Sequence, residues 1–259
     1  APDDTAGLPE SVAGMTIDRM CASGLSAIAG AARSIMLGEQ TIVVAGGLES
    51  ISLTQNKHKN AYRAQSQAVL EAMPTAYIQM IETAELVAER HGIARSAQDE
   101  YALQSQQRTA SAQRDGLFDA EIVPLPSVRQ LFDKEGNVTG TEAMTLGRDE
   151  GNRPDTTLES LSALKPVWKN GRWAAEGRHI TAGNASQLSD GASACVVMSR
   201  EEAARRSLDP LGVYRAMAVA GCPTDEMGIG PAYAIPKLLR QTGLSISDIG
   251  LWEINEAFA

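Results

Sequence analysis

The strongest constraint on the fold lies in residues 14–47. "GMTIDRM" reads as a short strand, "SGLSAIAGAARSIMLGEQ" as a helix, and "TIVVAGG" as a buried strand closed by a glycine turn. Within the helix, Leu25, Ile28, Ala32 and Met36 fall on one stripe, and Gly38 supplies the stop. Strand, helix and strand in that order form a crossover unit, which implies an α/β fold with a parallel sheet covered by helices. Aromatic residues are only 4% of the 259, so the core must be aliphatic and rich in alanine.

The segment from about 53 to 188 changes character. It is more polar and carries fewer strand signals. "QMIETAELVAERH" places Ile81, Ala84, Val87 and Ala88 on one helical face. "SAQDEYALQSQQRTASAQRDG" predicts a second helix, opened by Ser96 and Asp99 as a capping box and closed before Gly116. "DKEGNVTG" is a turn between extended segments, and "KPVWKNGRWAAEGRH" is irregular and locally basic. A long excursion of this kind is the expected ligand-facing part. Core character returns with a glycine-rich turn and a buried strand over Ala192–Met198. "LGVYRAMAVAG" then reads as a strand, "GPAYAIPKLLRQTG" as a helix with an early Pro231, and "DIGLWEI" as a strand ending on Ile254.

The net charge of −9 argues against sequence-independent nucleic-acid binding, which needs a basic surface. An anionic ligand would need a local basic or helix-N-terminal site. Cys21, Cys195 and Cys222 form no CxxC pair, and His58, His91 and His179 lack metal-ligand spacing. The expectation is no metal, no disulfide framework and a reducing, cytoplasmic location. No apolar run reaches membrane-spanning length, and "APDDTAGLPES" has neither the charged start nor the apolar centre of a signal peptide.

Cys21 stands just before a predicted helix start. Unpaired N–H groups and the helix dipole favour a thiolate there, and main-chain N–H groups at such a turn can bind an oxyanion. The alternative is a small, inert apolar residue at a helix end. "NASQLSDGASA" reads either as an anion- or amide-binding turn or as a structural loop in which Asn184 and Asp190 cap turns. "NEAFA" offers Asn255 to hold a water and Glu256 as an acid, or is a plain strand-end turn. Glu49 of "GGLESIS" reads as a capping or packing carboxylate. No histidine obviously pairs with Cys21, although a nucleophilic cysteine needs a base.

Taken together, "MTIDRMCASGLSAI", "GGLESIS", "MIETAELVAERHGI...QDEYALQSQQR", "ITAGNASQLSDGASACVVMS" and "EINEAFA" resemble, in order, motifs of the thiolases, the acetyl-CoA C-acyltransferases. The resemblance covers nearly the whole chain. It implies two related βαβαβαββ halves with an inserted loop domain, both halves incomplete here. The implied organisation is a partial first half over 1–52, a coenzyme A-binding loop domain over 53–188, the last strand and link of the first half over 189–209, and a partial second half over 210–259.

The resemblance also implies roles. Cys21 is the acyl-accepting nucleophile, and Asn255 holds the water of an oxyanion hole. Ser186 meets the pantetheine of coenzyme A, with Ala185 and Phe258 beside it. Met80 lines the acyl and pantetheine channel, and Arg153 and Ser160 contact the nucleotide end. A cation facing a polyphosphate suits Arg153 on chemical grounds. Coenzyme A enters as substrate, with no resident cofactor, no nucleic-acid or membrane partner, and a homodimer or homotetramer as the assembly.

The implied reaction is thiolytic cleavage of 3-oxoacyl-CoA, or its reverse condensation, in fatty acid metabolism. The family's later "GHP" and "CxG" motifs do not occur in the sequence, so a chain cut at both ends and inactive by itself is expected. Gln79 and Ile81 flank Met80 where many members carry His and Gly, so no acyl-chain length carries over. Two other readings stand beside this one: a β-ketoacyl synthase-like condensing enzyme, and a non-catalytic coenzyme A-binding fragment.

Overall fold

The computed structural model describes residues 7–259. The segment "APDDTAGLPES" and the first expected half both begin in residues 1–6, outside the described residues. The helices and strands in chain order are α1 (Ser23–Met36), β1 (Ile42–Glu49), α2 (Ile51–Thr54), α3 (Gln67–Ala72), α4 (Met80–Arg90), α5 (Arg95–Arg114), β2 (Leu125–Phe132), β3 (Val138–Leu146), α6 (Leu158–Ser162), β4 (Gly191–Met198), α7 (Arg200–Arg205) and α8 (Gly230–Thr242). They form two compact units. Among the described residues, one comprises 7–62, Leu188–Ala220 and Ala232–Leu251, and the other Arg63–Gln187, Gly221–Pro231 and Trp252–Ala259.

In the first unit, α1 forms and stops as the sequence predicts, but the expected stripe is not its buried face: Leu25 and Met36 are exposed, and Ser26, Ala29, Ala31 and Ala32 are buried. Gly38 sits at φ +74°, where a Cβ is disfavoured, and the N–H groups of Leu37, Gly38 and Glu39 close the last turn onto Arg33, Ile35 and Ser34. The expected parallel crossover is corrected. "GMTIDRM" forms no strand, and β1 pairs antiparallel with β4, from Ile42 opposite Met198 to Glu49 opposite Gly191. Both ladders among the described residues are antiparallel. "LGVYRAMAVAG" and "DIGLWEI" also lie outside any ladder. A ladder needs a partner backbone, and apolar alternation does not say which one.

α1 packs on one side of this pair. Val43, Ala45 and Gly47 are the shielded alternate positions of β1, while Val44 and Leu48 remain uncovered. β4 was expected to be buried, but Gly191–Val196 are exposed because α1 lies chiefly against β1. The packed seam is small-residue throughout, with Ala29, Ala31, Ala32 and Ala45 buried. A Cβ on Gly46 would stand 2.6 Å from the Ser193 carbonyl oxygen and 3.2 Å from Ala194 Cβ. Gly46→Ala is therefore expected to destabilise the fold by about 1–3 kcal/mol, read as a lower urea midpoint at unchanged slope.

Asp190 caps α2 across the sequence. Its Oδ1 accepts from the Ser52 N–H at 3.0 Å, and its Oδ2 accepts from the hydroxyls of Ser52 and Ser50. The Ser52 hydroxyl, then its N–H, hold the Asp190 carboxyl below its ordinary value. A depressed carboxylate stabilises the fold above its unfolded pKa and loses that contribution as pH falls through the lowered folded value. Acid titration is expected to release the Ser52 amide at a pH below the ordinary aspartate midpoint, visible as a pH-dependent amide shift. A Ser52 midpoint at the ordinary value would show that the cap is not formed.

The second unit buries polar groups as much as apolar ones. Of the face expected on α4, Ala88 is buried, while Ile81, Ala84 and Val87 are only half-buried. Glu82, Thr83 and Glu85 lie deeper than those three. The expected capping box of α5 also does not form: the N-cap is Ala94, without a side-chain bond. Asp99 is buried and accepts from Arg95 Nε, with 2.9 Å to each oxygen. The Arg95 guanidinium continues to the carbonyls of Leu161 and Leu164, tying α5 to α6. A carboxylate with a cation one turn back serves the ion pair rather than the helix end. β2 and β3 form the hairpin expected around "DKEGNVTG". Asp133 accepts from the N–H groups of Glu135 and Asn137, and Gly136 supplies φ +84°.

Candidate functional site

Cys21 is exposed and stands two residues before the first residue of α1. The turn that presents it is tightly bonded. Met20 has φ +47°, uncommon for a residue with a Cβ. Its N–H donates to Asp18 Oδ1 at 2.8 Å, and its carbonyl accepts from the Ser23 hydroxyl at 2.7 Å. Ser23 Oγ also accepts from the Arg19 N–H at 2.8 Å. Gly24, in the first turn of α1, meets Gly47 of β1 so closely that a Cβ there would lie 3.4 Å from Gly24 Cα. An exposed thiol at the start of a fourteen-residue helix, with small residues around it, leaves room for an acyl group to approach.

In the second unit, the "NAS" and "NEAFA" segments lie side by side. The Ser186 N–H donates to the Ala257 carbonyl at 3.0 Å, the Ala259 N–H to the Asn184 carbonyl at 2.9 Å, and Ala185 bridges Phe258. They border a cleft of about 300 Å³ lined in part by Tyr101, Asn152, Ala185, Ser186 and Asn255. Asn184 is structural. Its side chain accepts from the Thr181 N–H and donates to Asp99 and to the His179 carbonyl.

Ala185, Ser186, Asn255 and Phe258 are thus brought together. Arg153 is exposed beside the cleft, its N–H held by Gln106 Oε1 at 2.8 Å, and no ion pair engages its guanidinium among the described residues. Met80, the first residue of α4, is 40% exposed and does not line the cleft. Ser160 is engaged in the capping box of α6: its hydroxyl donates to the Thr157 carbonyl at 2.8 Å and accepts from the Thr157 N–H at 3.1 Å.

Two acidic residues hold the approach to the "NAS" turn. Glu82 Oε1 accepts from the N–H groups of Trp173 and Ala174. The Glu85 carboxylate accepts from Arg178 at 2.9 Å, His179 at 3.0 Å and Ile180 at 2.8 Å, all main-chain N–H groups. The irregular basic segment is therefore shaped by buried carboxylates of α4. On the other side, Glu256 accepts from the Tyr101 and Ser105 hydroxyls, and this bond raises the Tyr101 pKa above its ordinary value.

The residue roles of Tyr101, Ser105, Gln106, Glu82 and Glu85 were not visible in the motifs. Helical spacing puts Tyr101 and Ser105 on one face, and that is the only sequence signal they carry. Among the described residues no group of three or more His, Cys, Asp or Glu side chains is placed to hold a metal. No helix among them is long and apolar enough to cross a membrane.

Residues 4–201 match the family model for "Thiolase, N-terminal domain" and residues 208–259 that for "Thiolase, C-terminal domain". The chain is 46% identical over 256 residues to the peroxisomal 3-ketoacyl-CoA thiolase B of Mus musculus, covering 98% of this chain and 57% of that protein. It is 43% identical over 254 residues to the 3-ketoacyl-CoA thiolase of Bacillus subtilis, covering 98% and 63%. Among solved structures it superposes on the dimeric peroxisomal thiolase of Saccharomyces cerevisiae with a TM-score of 0.82 at 36% identity, covering 98% of this chain and 61% of that one. The human mitochondrial 3-ketoacyl-CoA thiolase in complex with CoA gives 0.78 at 34% identity, covering 98% and 62%. The chain thus spans about three fifths of these relatives, and over that length its fold is theirs. By matches to both domain models across almost all its length, the chain belongs to the thiolase family.

Proposed function

We propose that the whole protein is an acetyl-CoA C-acyltransferase that cleaves 3-oxoacyl-CoA through an acyl-cysteine at Cys21. The observation that carries this reading is an exposed cysteine at the start of α1 in a chain matched over both thiolase domains. The Cys21 thiolate adds to C3 of the substrate, forming a carbon–sulfur bond and a tetrahedral oxyanion. When the C3 carbonyl re-forms, the C2–C3 bond breaks. Its electron pair goes to C2 as an enolate, which takes a proton to give acetyl-CoA. The acyl group stays on Cys21 as a thioester, so it remains activated. The thiol of a second coenzyme A then attacks that thioester, yielding the shortened acyl-CoA and free Cys21. The reverse sequence is a condensation.

Asn255 is placed in this reading as the holder of a water that hydrogen-bonds a developing oxyanion, the interaction that contributes most where charge appears in the transition state. Ala185, Ser186 and Phe258 are read as the pantetheine contacts, Met80 as part of the channel, and Arg153 with Ser160 as contacts of the nucleotide end. Three free cysteines support a reducing, cytoplasmic location, and the dimeric yeast neighbour supports a homodimer. The family match favours a thiolase over a β-ketoacyl synthase-like enzyme.

Acetyl-CoA is expected to add one acetyl group to the whole protein, mapped to the Cys21 peptide by mass spectrometry, while acetylated acyl carrier protein adds none. No adduct, or an adduct elsewhere, would sink the proposal. The 259 residues contain no "GHP" or "CxG" motif, so the chain alone is expected to give no turnover.

A further inference from the structure

The "NEAFA" turn is held by its carboxylate. Glu256 Oε1 accepts from the Tyr101 hydroxyl at 2.8 Å, and Oε2 accepts from the Ser105 hydroxyl at 2.6 Å. Tyr101 and Ser105 are four residues apart on α5, so both hydroxyls leave the same face of a twenty-residue helix. Charge-assisted bonds of this length are short and directional. The same helix holds the facing turn, because Asp99 Oδ1 accepts from Asn184 Nδ2 at 3.1 Å. Two turns far apart in sequence are thereby referenced to one rigid element, and their main chains are joined through Ser186, Ala257, Asn184 and Ala259.

We infer that Glu256 is a positioning residue for Asn255: the Tyr101–Glu256–Ser105 cluster fixes the direction in which Asn255 borders the cleft. This inference rests on the thiolase reading above. A general acid or base in the cleft would need an oxygen directed at substrate, whereas each Glu256 oxygen already takes a hydroxyl from α5. A displacement of about 1 Å in a group that orients an oxyanion partner can lower turnover by about 10²-fold, which is the scale of effect to look for.

The test is steady-state thiolysis of a 3-oxoacyl-CoA by the whole protein. Glu256→Leu is expected to lower kcat by about 10²-fold with the KM for coenzyme A within about 2-fold. Glu256→Gln is the conservative rescue. Its carbonyl can accept from Tyr101 and its amide can donate to Ser105 Oγ. It is expected to recover most of the loss, with the shape of the pH profile of kcat retained. Tyr101→Phe combined with Ser105→Ala keeps the carboxylate but removes both donors, and is expected to lower kcat as Glu256→Leu does.

Loss of activity in Glu256→Gln equal to that in Glu256→Leu would make the carboxylate itself the catalyst and overturn the inference. So would wild-type kcat in folded Glu256→Leu and in the double variant. If Glu256→Leu does not fold, the double variant and Glu256→Gln decide by the same two numbers. A wild-type protein that takes up no acyl group on Cys21 overturns the thiolase reading, and is distinguished from the other outcomes because it needs no variant.

Discussion

Cys21→Ser in the whole protein is expected to lower thiolysis of 3-oxoacyl-CoA on the order of 10⁴-fold or more. The substitution is close to isosteric, and Cys21 is exposed. The turn built by Asp18, Met20 and Ser23 uses none of the sulfur's contacts. The unfolding midpoint should therefore hold, as exposed substitutions usually change stability by less than about 0.5 kcal/mol. The chemistry does not survive. A serine hydroxyl is far less ionised than a thiol near neutral pH, and an acyl ester is less activated than a thioester toward the coenzyme A thiol. Both half-reactions are lost together, so no acyl group should accumulate. Cys195 lies in β4 opposite Ala45, and Cys222 has its sulfur 4.0 Å from the Glu226 carbonyl oxygen. They serve as internal controls. An acyl adduct on either in the Cys21→Ser protein, or turnover within tenfold of wild type, would remove Cys21 from the mechanism.

Glu85→Ala is expected to destabilise the second unit by about 3 kcal/mol or more, because three main-chain N–H groups lose their acceptor at once. Glu85 is only 3% exposed, so water reaches the site poorly. Arg178, His179 and Ile180 would be left with unmet donors, and the segment they belong to leads directly into Thr181, whose N–H is bound by Asn184. The expected shift in Tm is about 10 °C downward for a chain of this size. Glu85→Gln should recover little, since its amide nitrogen would face a main-chain donor. Glu89, on the same helix but exposed, makes only a 3.9 Å pair with Arg178 and a contact to His179. Glu89→Ala should change stability by less than about 1 kcal/mol. Equal Tm values for Glu85→Ala and Glu89→Ala would refute the buried-acceptor account.

Features with local causes were legible. The stops at Gly38 and Gly116 are positions of positive φ, +74° and +68°, and glycine alone takes them without cost. The Asp133 turn was readable because an aspartate side chain bonds N–H groups two and four residues on. The placement of Cys21 before α1 follows from the helix-forming run after it and the small residues ahead of it, while the face that α1 buries is the one carrying Ser26, Ala29 and Ala32. The capping box assigned to Ser96 and Asp99 failed for a tertiary reason: Asp99 is claimed by Arg95 and Asn184. The apolar face of α4 was legible only in part, since Ala88 is buried but Glu82 and Glu85 lie deeper than Ile81, Ala84 and Val87. Glu82 and Glu85 would carry a large desolvation cost inside a fold unless main-chain donors meet them, and those donors lie more than ninety residues away in the chain.

By itself, the sequence determined the four longest helices, α1, α4, α5 and α8, the glycine stops of α1 and α5, the hairpin turn and the chemical identity of the candidate nucleophile, because each depends on neighbours within a few residues. Only the tertiary structure decided that β1 pairs antiparallel with β4, that Asp190 caps α2, and that Glu256, at the cleft, takes the Tyr101 and Ser105 hydroxyls of α5. Those outcomes depend on which main-chain and hydroxyl groups a folded chain brings within about 3 Å of a given side chain, and spacing along the sequence does not carry that distance.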